Sequence, residues 1–98
     1  MDKKVGIIGL GIIGSAVQKI FPKAICYDPA NITSNYNYVP VNSQRSKDLV
    51  KSCDIAFVCV PTPVQGDLPY RSDGLSMKII EEVVAEFNVP LLVICSAL

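Results

Sequence analysis

The chain predicts an α/β fold with a mostly parallel sheet flanked by helices, and three observations carry that expectation. The runs Val5-Gly6-Ile7-Ile8, Asp54 to Val60 and Val89 to Cys95 are apolar without an alternating polar partner, as strands buried on both faces are. Between them, apolar residues recur at helical spacing. Directly after the first run come Gly9, Gly11 and Gly14, a spacing with a specific steric logic.

The first strand is expected to end at Gly9. There Gly9 makes a sharp turn, Gly11 lets the backbone approach a pyrophosphate, and Gly14 lets a helix pack tightly on the strand. The amides of Ile12 and Ile13 open that helix. Having no partner inside it, they are free to hydrogen-bond a phosphate at the positive end of the helix dipole. A strand, this turn and a helix in succession form a dinucleotide-binding unit, so the fold expected is of the Rossmann type. Ile13, Ala16, Val17, Ile20 and Phe21 mark the buried stripe of the helix, with Ser15, Gln18 and Lys19 opposite, and Pro22 stops it.

The next apolar segment, Ala24 to Tyr27, runs into Asp28-Pro29, which places an acid nineteen positions after Gly9. That offset suits a carboxylate accepting hydrogen bonds from the adenosine ribose hydroxyls. Asp28 also repels a ribose 2′-phosphate and no arginine follows it directly, so NAD is favoured over NADP. The competing role for Asp28, a turn-forming residue before proline, is compatible with binding.

From Ala30 to Gln44 the chain is rich in Asn and Ser and reads as a surface loop with one short strand near Val39 to Val41. The second crossover is therefore abbreviated. A short serine-capped helix is expected over Ser46 to Ser52, with Leu49 and Val50 facing the sheet. The strand Asp54 to Val60 then exits through Pro61-Thr62-Pro63. In an open parallel sheet the ligand lies beyond the carboxyl ends of the strands, so Thr62 is aimed at the cofactor, at its pyrophosphate or nicotinamide ribose. The alternative is a rigid strand exit without ligand contact, held extended by the two prolines.

Val64 to Gly74 reads as a loop with two Asp-containing turns. Met77, Ile80, Val83, Val84 and Phe87 form the apolar stripe of a crossover helix that Asp73 or Ser76 caps. Lys78, Glu81, Glu82 and Glu86 lie on its far side, so the paired Glu81 and Glu82 are a solvated face with no catalytic role. Val89 to Cys95 closes the sheet as a last buried strand.

At 98 residues, half of them apolar, the chain is expected to be one small domain over 1–98. Nine basic and nine acidic residues balance and form no basic cluster, which argues against nucleic-acid and anionic-membrane partners. No apolar run approaches the ~20 residues of a membrane-spanning helix, and the amino terminus leads straight into the first strand, so a cytoplasmic protein is expected. Histidine is absent and Cys26, Cys53, Cys59 and Cys95 are widely spaced. No metal site is expected, and the cysteines read as small buried hydrophobes rather than nucleophiles.

Taken together, Gly9 to Gly14, Tyr27-Asp28 and above all Cys53 to Val60 followed by Pro61-Thr62-Pro63 resemble the amino-terminal NAD-binding domain of the UDP-glucose/UDP-N-acetylmannosamine (nucleotide-sugar) dehydrogenase family. The strand ending in valine, any residue, threonine, proline is the more discriminating part, and the resemblance spans nearly the whole chain. It implies a site in which the Gly9 to Gly14 turn holds the pyrophosphate, Asp28 the adenosine ribose, and Val60 with Thr62 the middle of the NAD. Family members oxidise the sugar 6-hydroxyl of a UDP-sugar to a carboxylate in two hydride transfers to NAD, using a cysteine nucleophile, a lysine and other polar groups, most of them beyond this domain. None of the four cysteines here has that nucleophile's context. Where the family has lysine-serine-threonine after the last strand, this chain reads Cys95-Ser96-Ala97-Leu98, so only Ser96 matches.

The expectation is thus an NAD-binding domain, not catalytic alone, whose UDP-sugar chemistry needs a substrate domain that these residues do not contain. Two rivals stand beside it. One is a non-enzymatic interaction module that keeps the fold and self-associates through the apolar segment Leu91 to Leu98. The other is a dehydrogenase of the 6-phosphogluconate or 3-hydroxyacid type, which shares the first half of the pattern but not Val60-Pro61-Thr62-Pro63.

Overall fold

Four strands, β1 (Val5–Ile8), β2 (Ile25–Tyr27), β3 (Ile55–Val58) and β4 (Leu91–Ile94), pair in the order β2-β1-β3-β4. Every neighbouring pair is parallel. The computed structural model describes residues 3–59 and 81–95. Helix α1 (Ile12–Ile20) follows β1, helix α2 (Gln44–Lys51) precedes β3, and residues 81–86 are helical ahead of β4. The protein is a small α/β domain with a four-stranded, all-parallel sheet flanked by helices.

Because side chains alternate along a strand, the register sorts the core into two layers. Ile7 pairs with Cys26 and Phe57, and this row packs with Cys59 and Val41 against Leu10, Ile13 and Val17 of the α1 side. Ile8 pairs with Tyr27 and Val58, and that row packs with Ala56 against Val50 of α2 and against Val83 and Phe87. Helices therefore cover both faces, as a sheet of buried parallel strands requires. On the second face Lys47 of α2 forms an ion pair with Glu86 and stands over the Tyr27 ring, which in turn lies 5.9 Å from the ring of Phe87.

Several elements depart from the expectation. In α1 the inward line is Ile13, Gly14 and Val17, continued by Leu10 of the turn, whereas Ala16, Ile20 and Phe21 of the expected stripe are exposed. Gly14 presses so closely on the turn that the helix meets the sheet along that line, leaving Ala16 and Ile20 off it. Helix α2 begins at Gln44, ahead of the expected start, because Ser43 and not a later serine is its cap: Ser43 Oγ accepts from the Ser46 amide at 3.1 Å. Val50 is fully buried in the core, while Leu49 is only half-buried. On helical residues 81–86, Val83 packs inward but Val84 is exposed. β4 is not the buried strand expected. It has a sheet neighbour on one side only among the described residues, and Leu91 and Ile94 remain 51% and 48% exposed.

The segment between β2 and α2 contains a single isolated bridge, Ser34 to Pro40, in place of the short strand expected near Val39 to Val41. Its organising residue is Asn35, which is buried. The Asn35 Oδ1 accepts from the Cys26 amide at 2.7 Å, and its Nδ2 donates to the Cys26 carbonyl at 3.2 Å. The same Nδ2 reaches Val39 O and the buried Ser46 hydroxyl, which donates onward to Pro40 O. One side-chain amide thus pairs the free edge of β2 as a neighbouring strand would. To close this loop Tyr38 adopts φ 67°, a left-handed conformation unusual for a tyrosine.

Candidate functional site

The chain runs from β1 to β2 on one side and then crosses to β3 on the other, so the sheet order reverses between β1 and β3. Open parallel sheets bind ligands at the carboxyl ends of the strands beside such a reversal. The glycine turn lies there. β1 ends at Ile8, Gly9 takes φ 95°, and its amide donates to Tyr27 O at 2.9 Å, which ties the turn to the end of β2. Only glycine enters this region without strain.

Gly11 is the N-cap of α1, with extended backbone and no side-chain cap. The first turn carries no acidic residue. Ile12 and Ile13 occupy the first helical positions, with the Ile12 side chain 92% exposed beside amides that no side chain caps. This is the opposite of α2, whose serine cap satisfies its own amino end. An uncapped amino end leaves donors and a positive dipole for an anion. Gly14 is buried, and a Cβ built on it would stand 1.9 Å from the carbonyl oxygen of Gly9. Helix and strand therefore approach as only a glycine permits.

Asp28 stands at the end of β2, facing the turn. Its Oδ2 accepts from the Leu10 amide at 2.8 Å and its Oδ1 from the Ala30 amide at 2.9 Å. The turn-forming role considered for Asp28 is visible in its bond from the Ala30 amide, and its second oxygen ties it to the glycine turn through the Leu10 amide. A carboxylate has about four acceptor positions, so these two bonds leave capacity for a ribose diol. The residue missed by sequence reasoning is Leu10, whose amide is the link between acid and turn. Its position between two glycines was the available signal.

The structure therefore brings Gly9, Gly11, Ile12, Ile13, Gly14 and Asp28 to one corner. Val60 and Thr62 lie outside the described residues, as does Ser96. Behind the corner, Cys59 packs against Gly14, 3.4 Å from where a Cβ there would sit. Burial pushes the Cys59 thiol up to about 12 and the Cys26 thiol up to about 11. Thiols held protonated in this way are packing groups, not nucleophiles. All four cysteines are free, and no group of side chains among the described residues could hold a metal ion. No helix among the described residues is long and apolar enough to cross a membrane.

Fold and site together define a small α/β domain with a tight glycine turn at the reversal point of a parallel sheet. No protein family, curated protein or solved structure matches this chain.

Proposed function

We propose that this chain is a Rossmann-type domain that binds NAD. The observation that carries the reading is the meeting of Gly14 with Gly9 O, which sets an uncapped helix directly on the end of β1 while Asp28 grips the turn from β2. In this arrangement the amides of Ile12 and Ile13 hold the pyrophosphate and the free acceptor positions of Asp28 hold the adenosine ribose. The residues fit the group because the cradle is backbone, the first turn of α1 carries no acid, and no Cβ at Gly14 holds helix and turn apart. Bound NAD supplies a hydride acceptor; the chain's own residues bind and orient it.

The substrate class follows from the resemblance of the Val60-Pro61-Thr62-Pro63 segment to nucleotide-sugar dehydrogenases: the bound NAD serves the oxidation of a UDP-sugar. No catalytic residue is assigned within these residues. Calorimetric titration with NAD and NADP tests the cofactor assignment. Saturable NAD binding that Asp28→Asn weakens about tenfold, with NADP bound less tightly than NAD by the native chain, is the expected result. Absence of saturable NAD binding by the folded chain overturns it.

A second reading rests on the half-exposed Leu91 and Ile94 of β4: a sheet flank that pairs with another chain. Light scattering across a concentration series separates the two, because a strictly monomeric species removes the basis for the second.

A further inference from the structure

The opposite end of the sheet holds a second concavity, away from the glycine turn. A cleft of about 640 Å³ opens at the amino ends of β1 and β2, where α1 and α2 both finish. Its walls include Ile20, Phe21, Ile25, Tyr36 and Leu49; Tyr36 is exposed, and Phe21, stacked on Phe57 with ring centroids 5.5 Å apart, is partly so. Its size falls within the range of about 300–1,000 Å³ typical of small-molecule sites.

Around this apolar lining stand Lys3, Lys4 and Lys23, and among the described residues no carboxylate lines the cleft. Two helix carboxyl ends also point here, and their partial negative charge opposes an anion. The last turns of those helices carry Lys19 and Lys51, which offset that charge. Beside the cleft, the Asp54 carboxylate accepts from the Lys4 amide at 2.8 Å and its charge offsets that of one lysine. Among the described residues the three rim lysines therefore outweigh the one adjacent carboxylate, leaving net positive charge over an aromatic-walled hollow.

We propose that this cleft is a binding site for a small aromatic anion, a planar ring bearing a carboxylate or sulfonate. The ring lies on the apolar lining that Phe21 and Tyr36 contribute to, and the acid group is held at the rim by Lys4 and Lys23, with Lys3 adding to the field. Ring burial supplies affinity; the lysines supply the sign of charge accepted. The site is independent of NAD, since it lies at the other end of the strands.

Amide spectra of the isotopically labelled full chain test it, with 1-naphthoate, 1-naphthylmethanol and 1-naphthylmethylammonium as probes. Saturable shifts from 1-naphthoate at Phe21, Lys23, Tyr36 and Ser52 are expected, with the cation at least about tenfold weaker. The exposed double variant Lys4→Gln/Lys23→Gln weakens the naphthoate about fivefold and brings it level with the neutral alcohol. Tyr36→Ser weakens all three probes without altering charge. Naphthoate shifts that do not saturate, that centre on Gly9 to Ile13, or that the cation reproduces at equal affinity overturn the proposal.

Discussion

Replacing Gly14 by alanine tests the close approach on which the cofactor site depends. A Cβ at this position meets Gly9 O at 1.9 Å and Gly9 C at 2.9 Å, against the 3.0 Å below which real Cβ contacts essentially never fall. Helix α1 and the turn must therefore part by roughly 1 Å, and the obstacle is backbone that no rotamer change removes. Two effects compete. Alanine is the better helix former by about 1 kcal/mol, whereas forced overpacking costs about 1–3 kcal/mol. Since the clash is with a carbonyl in a turn already fixed by the Gly9 and Leu10 amide bonds, the upper part of that range applies. The expected net loss is roughly 1–2 kcal/mol, read as a lower urea midpoint and a melting temperature lower by about 4–8 °C per kcal/mol. NAD affinity falls on the order of tenfold to a hundredfold, because the amides of Ile12 and Ile13 move with the helix. Gly6→Ala is the control. Its Cβ meets Val50 Cγ1 at 2.9 Å and Cys53 Sγ at 3.2 Å, so it too costs stability, but it presses on the α2 side and not on the turn, so the folded variant keeps its NAD affinity. A Gly14→Ala protein as stable as the native chain and binding NAD equally well refutes the reasoning.

Asn35→Leu strips the Cys26 amide and carbonyl of their partners inside the protein. At about 1–3 kcal/mol for each buried group left unsatisfied, chemical denaturation is expected to show a loss of at least about 2 kcal/mol. Tyr38→Gly relieves a left-handed tyrosine and is expected to raise the melting temperature, by about 1 kcal/mol of stability at most, since the extra freedom of unfolded glycine subtracts from the gain. Alkaline pH acts through the buried thiols. Their ordinary value is 9.0, and burial raises Cys26 to about 11 and Cys59 to about 12, so the unfolded chain releases these protons first. Their contribution is complete below pH 9.0 and is lost as the pH climbs through 11 to 12. Urea midpoints should decline over that window, less steeply in Cys59→Ala.

Much of the fold was legible because its signals are local. Three glycines in one turn, an unbroken apolar run before them and a proline after α1 each specify backbone within a few residues. What escaped the sequence depends on partners distant along the chain. Whether an apolar strand is central or peripheral turns on how many neighbours it acquires, so Leu91 and Ile94 looked no different from Ile7 and Val58. The start of α2 was misplaced because Ser46, which opens the expected span, is buried with its hydroxyl donated to Pro40 O, while Ser43 three residues earlier caps the helix. The bond from Asp28 to the Leu10 amide crosses from β2 to the turn and leaves no periodic trace.

The part played by Asn35 gives the sheet two unlike borders. Beyond β2 the backbone is already saturated by a side chain from its own loop, and no strand can dock there without first displacing that amide. Beyond β4 the outward apolar side chains stand half in water. Among the described residues the sheet is therefore closed to a further strand at the β2 border, and the β4 flank is the one whose outer side no described strand occupies.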